Sequence, residues 1–195
     1  MKRSRLTKLA GMFSDDEATR HVGNGTMCHE IFHCLTRNNP QFRKDMYSII
    51  NFTVQDKDFE VGSEVAEISF SNPDVSHHDS YTTLTVNGEE KDCFLLLTTT
   101  QPFEEDGGSF VSFVPYAMPV LVPVDDTNTY YSLGKEIDPN EFWEVVGKNT
   151  GYIIDPEECM ADNFSYAIIY GKNGIEGQPY ETPEIIDEII NYLNK

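Results

Sequence analysis

The feature that most restricts the fold is a change of hydrophobic period along the chain. From about residue 51 to 135 the apolar residues gather in runs rich in β-branched and aromatic side chains: ISFSN, YTTLTV, CFLLLTTT and SFVSFVPYAMPVLVPV. Such runs, bounded by turn-forming residues, predict strands. Asn87-Gly88, between YTTLTV and the CFLLLTTT run, predicts a tight hairpin, so the sheet is expected to be mostly antiparallel. Pro115, Pro119 and Pro123 have no N–H for a ladder and push the last run to an edge strand or an irregular crossing.

Helical period flanks this middle on both sides. Residues 25–38 predict a helix that starts at Gly25-Thr26, turns Cys28, Ile31, Phe32 and Leu35 to its apolar side, and stops at Asn38-Asn39-Pro40. A second helix follows from Pro40. Asp138-Pro139-Asn140-Glu141 and Asp155-Pro156-Glu157-Glu158 each read as cap, proline and capping box. Thr182-Pro183 opens the last helix, whose Ile185, Ile186, Ile189, Ile190 and Leu193 form one apolar stripe facing a core. Helices at both ends of a sheet-rich middle predict the α+β class. The expected organisation is a single domain over 1–195, with 51–135 a β-rich insertion.

The chain has 195 residues, enough for one domain with a real core. Its 14 basic and 33 acidic residues leave a formal charge of −19, a field that repels phosphate backbones, so no nucleic-acid partner is expected. No apolar run reaches the ~18–20 residues of a membrane helix, and no membrane partner is expected. MKRSRLTKLAGMF is basic but leads into no apolar h-region, so the expected compartment is the cytoplasm, with export of a longer precursor left open. The four cysteines, none in a CxxC pair, read as reduced core thiols.

Chemistry concentrates in HEIFH, residues 29–33. At 3.6 residues per turn His29 and His33 lie about 40° apart on the helix surface, so both rings reach one ion. Glu30 falls about 60° from His33 on the same wheel, beside the metal position without having to ligate it. That is the arrangement for a base acting on a zinc-activated water. One zinc ion is therefore expected. A catalytic zinc takes a third protein ligand, and none follows at short spacing, where Thr36 and Asn39 stand. His21, His77, His78 or a downstream carboxylate remain as candidates.

The best carboxylate is Glu158, with Asp162 one helical turn later on the same face and the small Ala161 allowing close approach of a facing helix. Asp162 would accept a hydrogen bond from the second ring nitrogen of a ligating histidine and hold its tautomer. Glu158 equally fits the third position of its capping box, a role that requires no metal.

HEIFH with Glu158 and Asp162 resembles the gluzincin zinc metallopeptidases, the thermolysin-like group, in which HExxH and ExxxD build the site. The longer strings HEIFHCLTRNNP, SNPD and GYIIDPEECMADNF are similar to functionally uncharacterised bacterial proteins classed with the metallopeptidases. That second likeness spans most of residues 25–170 and brings no substrate. The resemblance implies zincin-like helices carrying the metal, with His29, His33 and Glu158 as ligands, Glu30 as base and Asp162 supporting a ligand. It implies hydrolysis of a peptide or protein substrate. The chain departs from the pattern in the long stretch between His33 and Glu158, and in having few residues before His29, where those enzymes place a sheet.

Stabilising an oxyanion needs a further donor, for which His77, His78, Tyr152 and Tyr166 are the candidates. A rival reading keeps the zinc and drops the turnover: a catalytically silent zinc-binding interaction module derived from a peptidase.

Overall fold

The structure is a computed structural model and describes residues 17–69, 72–99 and 117–195. In chain order its elements are α1 (Glu17–Asn38), α2 (Pro40–Ile49), β1 (Thr53–Val54), α3 (Ser63–Ala66), β2 (Ser80–Val86), β3 (Glu89–Thr99), β4 (Ala117–Pro123), α4 (Pro139–Val146), α5 (Pro156–Tyr170) and α6 (Pro183–Leu193). A 3-10 turn, Gly171–Asn173, follows α5. Helices with an antiparallel four-stranded sheet make this an α+β protein. Two compact units result: one from the chain up to Ile50 with Gly147–Gly151 and Cys159–Lys195, the other from Asn51–Val146 with Tyr152–Glu158. The segment read as a β-rich insertion thus falls within the second unit.

The helical unit is organised by aromatic packing. Phe32 of α1 is fully buried, with its ring 5.7 Å from Phe42 of α2 and 5.4 Å from Phe164 of α5. Tyr192 of α6 closes on Phe42 at 5.8 Å. Each fully buried phenylalanine contributes about 1.5–3 kcal/mol relative to an exposed one, so these rings are a main adhesive of the unit. The break between α1 and α2 is local chemistry: Asn39 caps α2 by accepting from the Phe42 N–H at 3.1 Å, and Pro40 occupies the first turn.

Two expectations for α1 change. The helix covers Glu17–Asn38, so Gly25-Thr26 lies in its interior and does not start it. Its buried face carries Phe32, His33 and Thr36, whereas Ile31 and Leu35 are 43% and 38% exposed. The reason is one residue of phase, about 100° on the helix surface: packing of Phe32 against Phe42 and Phe164 rotates the helix so that His33, not Ile31, follows it inward. In α6 the stripe largely holds, with Ile185, Ile186 and Ile189 buried, Ile190 half-buried and Leu193 exposed.

The sheet unit has strand order β1-β2-β3-β4, antiparallel throughout. Val86 pairs with Glu89, leaving Asn87 and Gly88 as a two-residue turn, both at positive φ (51° and 88°), as the Asn-Gly pair requires. Phe94 and Leu96 of β3 lie opposite Val122 and Val120 of β4, and with Val65 of α3 they form the core, on which Phe59 stacks at 4.9 Å. Among the described residues β4 is an edge strand, the first of the two outcomes that its prolines predict. ISFSN forms no strand among its described residues; Ser69 makes a single bridge to Thr98. Pro115 and the first half of its run lie outside the described residues.

Asp138 caps α4 through the Asn140 N–H at 2.8 Å. Glu141 does not complete the expected box. Its Oε1 accepts from the Thr85 N–H of β2 at 2.6 Å, a use open to a carboxylate that reaches a strand backbone. None of the four cysteines is in a disulfide; Cys93 and Cys159 are buried as expected, Cys28 is half-buried, and Cys34 is exposed, contrary to a core role. No helix among the described residues is long and apolar enough to cross a membrane.

Candidate metal centre

His29 and His33 stand one turn apart on α1, with ring centroids 4.8 Å apart and planes near perpendicular (84°). Glu158 sits in the first turn of α5. One ligand atom from each of His29, His33 and Glu158 lies within 4.8 Å of the other two. His33 and Glu158 are buried, 1% and 2% exposed, and the His29 side chain is 17% exposed. Of the candidates for a third ligand, the structure brings Glu158 to the pair. His77 groups instead with Asp58 and Asp79.

Local sequence explains how α5 delivers its carboxylates. Asp155 accepts from the Glu157 N–H at 2.8 Å and so starts the helix at Pro156, which sets Glu158 in the first turn and Asp162 one turn on. Asp162 Oδ1 lies 2.9 Å from His29 Nδ1, joining residues 133 apart in sequence. A neutral His29 ring that donates Nδ1–H to this carboxylate carries its lone pair on Nε2, the form in which imidazole binds a cation. The Ser165 hydroxyl, further along α5, donates to the Gly25 carbonyl of α1 at 2.9 Å and ties the two helices in register.

Two polar residues at these carboxylates escaped the sequence reading. The Asn72 amide donates to Glu158 Oε1, and Thr150 Oγ1 donates to Asp162 Oδ2 at 2.6 Å. Asn72 also accepts from the Asp74 N–H at 3.1 Å, an Asx turn. The only signal in the chain was Asn72-Pro73-Asp74 itself, which is generic turn chemistry, and Thr150 carried none. For Glu158 this partner gives the carboxylate a use beyond the helix cap.

The remaining candidates have other surroundings. His77 Nδ1 lies 3.3 Å from Asp58 Oδ1, and the His78 backbone N–H donates to the same oxygen at 2.9 Å, so Asp58 braces the turn that precedes β2. Burial pushes the His78 ring below the ordinary imidazole range, opposed by the charges of Asp58 and Asp79 and reinforced by His77. Tyr166, one turn after Asp162, bonds Thr150; burial and then the Asp162 charge raise its phenol, with the Thr150 bond acting the other way. Tyr152 is 42% exposed. His21 rests edge-on against Tyr170 at 5.6 Å. Glu30 is half-buried, next in sequence to His29.

Two imidazole nitrogens and one carboxylate oxygen suit a divalent transition-metal ion. Ligands about 2.0–2.2 Å from a tetrahedral ion stand roughly 3.3–3.6 Å from one another. The three ligand atoms, within 4.8 Å of one another, lie close to that spacing. The residues present therefore fit such an ion, and three protein ligands leave a fourth position open. Compared with family models, with curated proteins and with solved structures, the chain matches none.

Proposed function

We propose that this chain is a zinc-dependent peptidase. The observation that carries the reading is the convergence of His29, His33 and Glu158 within 4.8 Å, with Nδ1 of His29 engaged by Asp162. Two histidines and one glutamate with an open position are the donor set of hydrolytic zinc sites, whereas structural zinc sites close all four positions. Zinc held there would supply Lewis acidity to a water and to the scissile carbonyl. His29, His33 and Glu158 hold the ion, and Asp162 orients His29. Glu30 takes a proton from the attacking water and returns it to the leaving amine, the two halves of general acid–base catalysis by one carboxylate. The substrate class is an unfolded or flexible peptide segment. The acidic field of a chain with charge −19 favours peptides without strong negative charge.

The test begins with zinc content. Wild type should carry about one zinc per chain and Glu158→Ala little, since two ligands do not complete a site. Hydrolysis of an unfolded protein should then fall about 10²–10⁴-fold in Glu30→Gln while zinc stays bound. A wild type without zinc after reloading sinks the reading. Zinc retained with no cleavage of a broad peptide library points instead to a zinc-stabilised interaction module.

A further inference from the structure

The segment Gly147–Gly151, GKNTG, belongs to the helical unit, between α4 and α5 in the chain, and is fastened there by several polar contacts. Asn149 Nδ2 donates to Asn163 Oδ1 at 3.0 Å and to the Thr182 carbonyl at 2.8 Å, while its Oδ1 accepts from the Thr182 N–H at 2.9 Å. The Lys148 N–H donates to Thr182 Oγ1 at 2.9 Å. Gly147 has φ +76°, and a Cβ there would stand 2.3 Å from Ile185 Cδ1, so the entry to the loop is pressed against α6. A loop needs no such fastening to connect two helices. What it delivers is Thr150, 8% exposed, with its hydroxyl on Asp162 Oδ2.

Asp162 is thereby held at both oxygens, Oδ1 by His29 and Oδ2 by Thr150. A carboxylate gripped on one oxygen alone can swing about its terminal torsion, which is broad and soft. Gripped on both it presents Oδ1 in one direction. We infer that Thr150 is a positioning residue for His29, acting through Asp162 to hold the ring in the Nδ1–H tautomer that turns its Nε2 lone pair to a cation. The inference deepens the proposed zinc site and rests on that reading for its functional meaning, though not for its effect on the ring.

Thr150→Val removes the hydroxyl at nearly constant shape, and Thr150→Ser keeps it. Two measurements separate this inference from the peptidase reading. The first is the His29 tautomer in the zinc-free protein, read from long-range ¹H–¹⁵N correlations in mildly alkaline buffer. Wild type and Thr150→Ser should show Nδ1–H, and Thr150→Val a mixture of both tautomers. The second is zinc affinity by chelator competition. Thr150→Val should bind about three- to tenfold more weakly, less than the 10–100-fold loss typical when the group touching a ligand is removed. Thr150→Ser should stay within about twofold of wild type. An unchanged tautomer ratio in folded Thr150→Val overturns the inference, whatever the zinc result. A shifted tautomer in a chain that takes up no zinc upholds the positioning role while the peptidase reading falls. Should Thr150→Val fail to fold, Thr150→Ala carries the same two measurements, with the same outcome overturning the inference.

Discussion

Among the described residues, two histidines that belong to clusters of possible metal donors also pair with an aspartate, His29 with Asp162 and His77 with Asp58, and the two pairs differ in nearly everything else. His29 and Asp162 sit 2.9 Å apart with side chains 17% and 23% exposed, on two helices of the helical unit. His77 and Asp58 sit 3.3 Å apart with side chains 54% and 53% exposed, on loops of the sheet unit. The first carboxylate is held at its other oxygen by Thr150; the second is shared with the His78 backbone N–H. A hydrogen bond among half-exposed groups competes with water and contributes little, whereas the same pair shielded from solvent is stronger and fixes ring orientation. Proximity of donors thus marks both places, but only one is preorganised.

The widest separation between the pairs should appear on deleting each carboxylate. Asp162→Ala should weaken zinc binding about 10–100-fold by chelator competition, while Asp58→Ala leaves it unchanged. If both deletions cost the same, the distinction drawn from burial is wrong.

The supports of the two units should also respond differently to added side chains. Gly147→Ala meets both positive φ and Ile185 and should destabilise by about 1–3 kcal/mol in urea unfolding. Gly88→Ala, with φ +88° and nothing within 4 Å, carries only the backbone term, about 1 kcal/mol. Equal losses would remove the argument that GKNTG is clamped.

A smaller effect concerns pH in the sheet unit. Burial lowers the His78 pKa below 6.5, so in the window beneath 6.5 the unfolded chain takes up a proton before the folded one. The stability this group contributes is complete above 6.5 and declines as pH falls through the window. His78→Gln should flatten that decline in urea midpoints taken across mildly acidic pH, and a slope as steep as that of wild type would refute it. The smallest change is expected of His77→Ala, under about 0.5 kcal/mol, because its partner pair is half-exposed. A larger loss would promote the second group from turn brace to organised site.

Much of this was legible in the chain before any coordinates. The Asn87-Gly88 turn, the edge position of β4 and the caps at Asp138 and Asp155 follow from backbone chemistry within a few residues. So does the placing of His29 with His33, and of Glu158 with Asp162, on single helical faces. The errors share a cause. Hydropathy places Ile31 and Leu35 in the core, yet the phase of α1 is set by Phe42 and Phe164, which no local window contains. The position of Glu141 fits a cap, but its carboxylate accepts from the Thr85 N–H instead.

The sequence by itself determined which side chains share a helical turn, where α2, α4, α5 and α6 begin, and that the class is α+β, because those depend on 3.6- and 2-residue periods and on capping groups next to them. Only the tertiary structure decided that Glu158 meets the two histidines, that Asp162 takes His29, and that Asn72 and Thr150 take the carboxylates. Those pairings join residues far apart in the chain, and burying a polar group is tolerable only where the fold supplies its partner.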